Sequence, residues 1–476
     1  MESIWGRDAL FPIRPTPPLP DHVDAAVIGA GIAGIEIAWR LQRAGLRVAV
    51  LEQGRICGGQ TQNTTAKITV QHGLMYDRLI EQQGREAALQ VAHANLEALR
   101  EYRDIARSMR IDCGMRTAPS IIYTTGPGDE LLLEALAARE LDINACFTTD
   151  TELPFPVQGA VRVEGQALFH PLRFLRALAG DLTINERTRV LEVEGDHLLT
   201  TRGELRADHV VFATHFPFIN APGYYFLRMH QERSYVLALQ GAPQLMGMYL
   251  GVDGERLSLR SHGGILLLGG GGHRTGENAG GGHYERLRDL ARELFPAVRE
   301  VDHWSAQDCM TVDGLPFIGR YAANRPNWYV ATGFGKWGMT TAMVAATIIG
   351  ELIVTGHSRY EKAFSPQRFD LTASAKNFMV DSIKASEALV RGIFSLPQEE
   401  AERLPPGHGG IVEVEGHQAG VYKEPGGRLH IVNPICPHLG CRLEWNPDER
   451  SWDCPCHGSR FDHTGRLLDG PAQENL

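Results

Sequence analysis

The chain has 476 residues, 43% of them hydrophobic and 22% charged, which is enough for two or three globular domains. A net charge of −10 without any Lys/Arg run argues against nucleic acid as a partner. No apolar stretch reaches the roughly 18 residues of a membrane span, and residues 343–355, which include Glu351, are typical of a buried helix.

Residues 1–21 are predicted to be an N-terminal extension, because they mix charges with five prolines and contain no apolar signal core. Four of the eight cysteines are isolated in the sequence, which is not the pattern of a secreted disulfide framework. They are Cys57, Cys113, Cys146 and Cys309. A cytoplasmic location is therefore expected.

The first motif is a glycine loop inside a β-α-β pattern. A strand leads into Gly29, Gly31 and Gly34, an amphipathic helix runs to about residue 44, and a second strand ends at Glu52. Such glycines let a pyrophosphate approach the helix N-terminus, and a carboxylate at that strand end binds a ribose hydroxyl. The pattern predicts a dinucleotide in a Rossmann-like α/β domain.

Two later segments indicate FAD rather than NAD. Residues 208–215 read as a strand followed by a turn typical of flavoproteins. A second glycine loop, with Gly333, Gly335 and Gly338, precedes an apolar helix. An extended FAD requires such a return segment, and the helix dipole favours negative charge on the reduced flavin ring. Simple NAD enzymes have no such segment.

With these motifs, residues 22–365 resemble the D-amino-acid oxidase superfamily, and glycine and sarcosine oxidases in particular. The resemblance implies that Gly29, Gly31, Gly34 and Glu52 hold the ADP half of FAD. It also implies contacts with the flavin and with adenine at Thr64, Thr65, Ala66, Val190, Gly333, Gly335, Lys336 and Gly338.

The oxidoreductase domain is predicted over residues 22–368, with FAD-binding segments at about 22–75, 181–222 and 302–365. The resemblance implies that the intervals 80–180 and 223–301 form an antiparallel sheet over the flavin, with the substrate between them. The first polar candidates in that sheet are Arg228, His230, Arg233, Tyr235, His273 and Arg274. A cationic pair among them would clamp a substrate carboxylate; the alternative is that each is structural.

Three further residues carry hypotheses about the flavin. Cys309 lies close to the position where monomeric sarcosine oxidases attach flavin through cysteine, so covalent attachment stands against a buried structural thiol. His72 and Lys336 are candidate proton carriers, but for each of them the role of a flavin neighbour is favoured. No catalytic acid or base is assigned.

Residues 369–404 are predicted to form a helical linker, with Phe378, Ile383 and Leu389 at helix-compatible spacing. A Pro-Pro-Gly sequence at residue 405 ends that pattern, and short strands with turn residues follow. A small all-β domain is therefore predicted over residues 405–476.

This last region contains a Cys-x-His and a Cys-x-x-His pair: Cys436 with His438, and Cys454 with His457. Two thiolates and two neutral imidazoles are the donor set of a Rieske [2Fe-2S] cluster, which takes up single electrons. Zinc also takes two cysteines and two histidines and is the alternative.

The segment resembles the Rieske domains of cytochrome bc complexes. The resemblance implies Cys436, His438, Cys454 and His457 as ligands, a Cys441–Cys456 disulfide, and a hydrogen bond from Ser459 to a cluster sulfur. The respiratory proteins have a tyrosine where this chain has Phe461. Without that hydroxyl donor, a lower reduction potential is predicted.

The combined expectation is a soluble flavin–Rieske oxidoreductase. A small substrate, an amine or amino acid, gives a hydride to FAD, and electrons pass singly to the cluster and to an unknown one-electron acceptor. The alternatives are reverse flow from a donor through the cluster to the flavin, and a redox carrier or sensor without turnover. A Rieske oxygenase is disfavoured, because the sequence shows no convincing 2-His-1-carboxylate iron site.

Overall fold

The computed structural model describes residues 3–9, 11–12, 16–368, 399–400, 404–414 and 417–476. The α-helices are α1 Ile4–Asp8, α2 Ile32–Arg43, α3 Tyr76–Gln83, α4 Arg85–Ser108, α5 Asp129–Glu140, α6 Pro171–Leu178, α7 His283–Leu294, α8 Gly338–Thr355 and α9 Glu361–Phe364. The first strands are β1 His22–Ile28, β2 Val48–Leu51, β3 Lys67–Ile68, β4 Arg116–Thr124, β5 Ala145–Thr148, β6 Gly159–Leu168, β7 Thr183–Asn185, β8 Val190–Glu194, β9 His197–Thr200 and β10 Gly203–Phe212. They are followed by β11 Met229–Gln240, β12 Met248–Gly251, β13 Ser258–His262, β14 Ile265–Arg274, β15 Arg299–Thr311, β16 Phe317–Ala322 and β17 Arg325–Thr332. The last strands are β18 Glu399–Glu400, β19 Gly409–Val414, β20 His417–Lys423, β21 Leu429–Val432, β22 Glu444–Asn446, β23 Ser451–Asp453, β24 Arg460–Asp462 and β25 Leu467–Asp469.

The first sheet has the strand order β16-β17-β10-β1-β2-β7, with β9 beside β10 and β8 beside β9. Strands β17, β10, β1, β2 and β7 run parallel to their neighbours. Helices α2 and α8 pack on each other and on this sheet. The central strands are therefore buried, which explains why they read as nearly continuous apolar runs.

The second sheet, called the roof sheet here, has the order β15-β11-β14-β13-β12-β4-β6-β3, with β5 beside β6. Its pairs are antiparallel except β12 with β4. Strand β3 and most of β15 come from sequence that was assigned to the FAD-binding segments 22–75 and 302–365. Both segments therefore contribute to the two sheets at once.

The C-terminal domain, residues 404–476 together with β18, consists of two four-stranded sheets in the described part of the chain, β18-β19-β20-β21 and β22-β23-β24-β25. Its core contains Leu443, Trp452 and Phe461, which are fully buried. Glu399–Glu400 form β18 inside the range predicted as a helical linker. Residues 369–398 and 401–403 of that predicted helix lie outside the described residues.

Helix α8 is long and apolar enough to cross a membrane, with a mean hydropathy of 1.5, and 67% of it is buried inside the protein. It packs against α2 and α4. Within the described residues no other helix meets that criterion. The apolar helix is therefore longer than the stretch of residues 343–355 recognised in the sequence and does reach 18 residues, but its contacts are those of a core helix, as predicted.

Candidate functional site

A cavity of about 1080 Å³ lies between the first sheet and the roof sheet. Most of the residues that the sequence assigned to FAD line it: Gly29, Gly31, Glu52, Thr64, Thr65, Val190, Gly333, Gly335, Lys336 and Gly338. Gly34 and Ala66 are not among the lining residues. The cavity thus brings together parts of the chain that are far apart in the sequence.

The glycine loop before α2 lets the backbone pack closely on itself and lets a ligand approach the backbone closely. Gly29 has a φ of +103°, and a Cβ at Gly34 would lie 1.9 Å from the carbonyl oxygen of Gly29. Beside the loop, Glu52 accepts hydrogen bonds from the backbone N–H groups of Ala30 (2.8 Å) and Gly54 (2.7 Å). Burial raises the pKa of this carboxyl group. A helix N-terminus, a glycine cradle and an oriented carboxyl group at one cavity edge fit the ADP half of FAD.

The loop at Thr64–Ala66 is held from the roof sheet. Arg260, fully buried in β13, donates to the carbonyl oxygens of Thr65 (2.7 Å) and Ala66 (2.6 Å). The Thr64 hydroxyl accepts from the N–H of Ala66 at 2.8 Å. Ala66 therefore fixes the loop through its backbone, while Thr64 and Thr65 face the cavity.

Three charged residues that were not predicted from the sequence, Glu232, Asp308 and Lys67, line the same cavity. Glu232 pairs with Lys336 at 3.1 Å, and hydrogen bonding from His230 together with Lys336 lowers the pKa of Glu232 to about 2. Burial raises the pKa of Asp308 to about 6. Burial also lowers the pKa of Lys67 to about 7. In the sequence, the one indication that Lys67 lies at the cavity is its position directly after Ala66, which was assigned to the flavin.

His72 lies at the cavity with its ring stacked on that of Trp337, at 4.8 Å between centroids. Its Nε2 is hydrogen-bonded to the carbonyl oxygen of Thr69 at 2.8 Å. Burial lowers the pKa of His72 to about 4. A neutral, stacked imidazole fits a ring-packing neighbour of the flavin better than a proton carrier at neutral pH.

The four predicted cluster ligands converge in the C-terminal domain. Cys436 and Cys454 are buried and outside any disulfide, and the rings of His438 and His457 are 5.0 Å apart at 90°. Among the described residues, neither Nδ1 atom has a hydrogen-bond partner, although both are buried. Burial lowers the pKa of His438 to about 4 and that of His457 to about 3, so both imidazoles are neutral, as iron ligation requires. These orphaned nitrogens and buried thiols fit a [2Fe-2S] cluster.

Among the residues around the ligands, the predicted disulfide is present. Cys441 and Cys456 form a disulfide. The Ser459 hydroxyl accepts from the N–H of Ala472 at 3.0 Å. Phe461 is fully buried in the core cluster that contains the four cysteines. A phenylalanine ring offers no hydrogen-bond donor at that position.

Strands β11 and β15 form a wall between the cavity and the C-terminal domain. Because side chains alternate along a strand, His230, Glu232 and Asp308 line the cavity, whereas Gln231 and Gln307 face the opposite side. Gln231 donates to the carbonyl oxygen of His457 at 2.7 Å, and Gln307 donates to that of Gly458 at 2.8 Å. The loop that carries the predicted ligands Cys454 and His457 therefore lies directly on the face of the wall that is turned away from the cavity.

The three arginines considered as a clamp for a substrate carboxylate make their contacts outside the cavity. Arg233 is buried on the far side of the wall and pairs with Glu449 at 2.5 Å. Arg274 donates to the carbonyl oxygen of Pro455 at 3.3 Å. Arg228 donates to the carbonyl oxygen of Pro366 at 2.6 Å. None of the three lines the cavity, so the clamp hypothesis is not supported at these positions.

The other roof candidates divide similarly. His230 and Tyr235 line the cavity, and the Tyr235 hydroxyl is hydrogen-bonded to His273 at 3.0 Å. Cys309 is buried, lies outside the cavity lining, and has its thiol 3.8 Å from Oε1 of Gln231. Burial raises the pKa of this thiol. The geometry favours a structural thiol over covalent flavin attachment.

The loop that carries Cys436 and His438 is covered by residues of the oxidoreductase domain. Nε2 of His438 is hydrogen-bonded to Oδ1 of Asn220 at 2.9 Å. The ring of Phe226 makes edge contacts with His438 and His457, with centroids 6.4 and 5.7 Å away. Both imidazoles therefore point at the oxidoreductase domain.

The C-terminal domain also closes the cavity. Residues 468–473 contribute to the cavity lining. Gln60 donates to Asp469 at 3.0 Å, and Arg189 donates to the carbonyl oxygen of Gln473 at 2.6 Å. The cavity predicted for FAD thus has walls from both domains.

The fold and the two sites define a flavin-dependent oxidoreductase that carries an iron–sulfur domain. Residues 24–352 match the FAD dependent oxidoreductase family and residues 396–476 match the Rieske [2Fe-2S] domain, so the chain belongs to the FAD dependent oxidoreductases and has a C-terminal Rieske domain.

Two proteins and one solved structure illustrate the relationship. The chain is 35% identical over its whole length to a Bacillus subtilis protein named as the putative Rieske 2Fe-2S iron-sulfur protein YhfW, covering 97% of that protein. It is 36% identical over 108 residues to the cytochrome b6-f complex iron-sulfur subunit of Synechococcus elongatus, covering 22% of this chain and 53% of that subunit. Glycine oxidase from Geobacillus kaustophilus has the same fold over 74% of this chain and all of its own, with a TM-score of 0.62 and 20% identity.

These findings confirm the predicted fold class, the oxidoreductase class and both cofactors, FAD and the [2Fe-2S] cluster.

Proposed function

We propose that the protein oxidises a small amine or amino acid and delivers the electrons one at a time to a separate one-electron acceptor. When bound, FAD takes up a hydride equivalent and the [2Fe-2S] cluster takes up single electrons. The proposal includes a cytoplasmic location, with a small-molecule substrate and an unidentified one-electron acceptor as the partners.

The observation that carries the proposal is the shared wall of β11 and β15. Its cavity face holds Glu232 and Asp308, and its other face holds the loop of His457 through Gln231 and Gln307. One layer of backbone therefore separates the flavin cavity from the cluster loop. A cluster that exchanged electrons only with an outside partner would not need to lie beside the flavin cavity.

Gln231 and Gln307 are the residues that hold the loop. Both are fully buried, and Gln307 also donates to Oε1 of Gln231 at 2.7 Å. A buried amide network of this kind is rigid when every member is satisfied. It fixes the position of His457 and excludes water from the boundary.

The cavity also carries charge of both signs, which favours a zwitterionic substrate. Nζ of Lys67 contacts neutral oxygens, the carbonyl of Tyr249 (2.9 Å) and the hydroxyl of Ser258 (2.6 Å). A substrate carboxylate beside it would favour the charged ammonium form. Glu232, in β11 of the same roof sheet, also lines the cavity, where Lys336 pairs with it at 3.1 Å and an amine would compete for the carboxylate. The name of the glycine oxidase with the same fold agrees with an amino-acid substrate.

The space beside these charges is widened by four consecutive glycines in β14, residues 269–272, which line the cavity. Their lack of side chains leaves room over the wall for a substrate larger than glycine.

The test is anaerobic addition of amines and amino acids to the holoenzyme, with flavin absorbance and the EPR signal of the cluster followed together. Flavin bleaching followed by a Rieske signal supports the proposal. If no candidate bleaches the flavin, while an artificial one-electron donor reduces both centres, amine oxidation is wrong and reverse flow or a carrier role is favoured.

Lys67→Met tests the substrate assignment. It should raise the KM for the active amino acid and have little effect on amines that lack a carboxylate. Lys362→Met, which removes an exposed lysine of α9, is the matched control. It should leave the KM unchanged both for the amino acid and for amines that lack a carboxylate.

A further inference from the structure

Glu424, His430 and His463 form a cluster on the C-terminal domain, away from the iron–sulfur ligands. One donor atom from each lies within 4.8 Å of the other two. Glu424 follows β20, His430 lies in β21, and His463 lies in the turn between β24 and β25. The three side chains therefore come from both sheets of the domain.

The local backbone fixes each of these donors. Glu424 and Arg428 close a turn through a backbone hydrogen bond of 2.8 Å, and His430 is paired with Tyr422 across β20 and β21. The turn that carries His463 is closed by the N–H of Asp462 and the carbonyl of Arg466, also at 2.8 Å. The donors are thus held in place by hairpins and not by flexible loops.

The imidazoles of His430 and His463 lie close together and nearly perpendicular. The rings of His430 and His463 are 4.9 Å apart at 88°. The ligand rings of the same domain, His438 and His457, are 5.0 Å apart at 90°. Nε2 of His430 is 2.6 Å from Glu424, and among the described residues the ring of His463 makes aromatic contacts but no recorded hydrogen bond. A cation would satisfy both rings and the carboxylate at once.

We propose that Glu424, His430 and His463 bind a divalent first-row cation, Zn²⁺ in the first instance, which cross-links the two sheets of the C-terminal domain. Two imidazole nitrogens and one carboxylate oxygen are ligands that zinc takes, with water in the remaining position. None of the three residues lines the flavin cavity, so the site has a structural role and is not an oxygenase centre.

The test uses the full-length holoprotein after dialysis against EDTA, titrated with ZnCl₂ by calorimetry. Wild-type protein should bind one Zn²⁺ per chain, and Glu424→Gln and His463→Gln should each abolish that binding. His417→Gln, which removes an exposed imidazole from β20, should leave it unchanged. An unaltered Rieske EPR signal shows that each variant is folded. Absence of zinc binding by the wild type, or equal binding by all variants, would overturn the proposal.

X-ray absorption at the zinc edge of the wild-type protein gives a second readout that needs no variant. The proposal requires nitrogen and oxygen neighbours at about 2.0–2.2 Å and no sulfur. Sulfur at about 2.3 Å would mean that zinc occupies the Cys436–Cys454 site instead, and the proposal would be wrong.

Discussion

Arg233 of β11 and Glu449 of the C-terminal domain form an ion pair across the domain boundary, with 1% and 7% of their side chains exposed. Arg460 shares the same carboxylate at 3.0 Å, and the hydroxyl of Ser305 donates to it at 2.7 Å. A buried carboxylate between two guanidinium groups fixes the relative position of the two domains. Its loss leaves the buried Arg233 without a carboxylate partner, whereas Arg460 keeps Asp453 and Asp469.

Glu449→Gln should therefore destabilise the docked protein strongly. Breaking a buried ion pair from one side costs about 3–5 kcal/mol. The measurement is the free energy of unfolding in urea, together with limited proteolysis at the domain boundary. Glu413→Gln, at an exposed position in β19, is the control and should change little. Equal stabilities of the two variants would show that the pair does not hold the domains together.

The same carboxylate makes the docking acid-sensitive. Burial opposes ionisation of Glu449, but Arg233 and Arg460 outweigh it and lower its pKa from the ordinary 4.5 to about 2. A lowered folded-state pKa means that the stabilisation is complete above pH 4.5 and is lost as the pH falls toward 2. The difference in unfolding free energy between wild type and Glu449→Gln should shrink over that window. A difference independent of pH would contradict this assignment.

Gln231→Leu should loosen the cluster loop from the cavity wall. The carbonyl oxygens of His457 and Gly470 then lose their donor, at a cost of about 1–3 kcal/mol for a buried unsatisfied group. In stopped-flow experiments, substrate should still bleach the flavin at the wild-type rate, while the Rieske signal develops more slowly. Gln240→Leu, at the exposed end of the same strand, should behave like the wild type. Unchanged cluster reduction in Gln231→Leu would exclude this contact from the electron path.

Asn220 should tune the cluster through His438. An acceptor on Nε2 increases the basicity of the ligand and favours the oxidised cluster. Asn220→Leu should therefore raise the midpoint potential by roughly 20–60 mV, the one-electron equivalent of one hydrogen bond. Asn220→Asp should lower it. An EPR-monitored redox titration measures both, and shifts of the same sign in the two variants would refute the explanation.

Phe461→Tyr should raise the midpoint potential, because a hydroxyl donor withdraws negative charge from the cluster sulfurs. The expected shift is again roughly 20–60 mV. Phe461→Leu controls for the change in packing at this fully buried position and should leave the potential nearly constant. No shift in Phe461→Tyr would mean that Phe461 does not explain the predicted low potential.

The sequence predicted local features well wherever spacing alone determines them. The amphipathic helix expected to run to about residue 44 is α2, Ile32–Arg43, and the buried helix expected at residues 343–355 lies within α8, Gly338–Thr355. The Gly29 loop and the two Cys/His pairs were recognisable because each motif needs fixed residue types at short spacing. Periodicity and motif chemistry are both properties of contiguous sequence.

The contacts between domains were not predictable in this way. Glu232 and Arg233 are neighbours in sequence, yet the first lines the cavity and the second pairs with Glu449. Strand alternation puts neighbours on opposite faces, but the sequence does not state which face meets the cofactor. A clamp for a substrate carboxylate was therefore considered among these arginines, whereas Arg233 and Arg274 contact the C-terminal domain and Arg228 contacts Pro366.

The placement of residues 468–473 in the cavity wall has a consequence for biogenesis. The Gly29 loop leaves the ribosome long before these residues are made, and at that stage the flavin pocket lacks one side. The pocket is complete only after the iron–sulfur domain has folded and Arg189 has engaged Gln473. In the order of synthesis, the C-terminal domain is therefore the last part of the chain to close the flavin pocket.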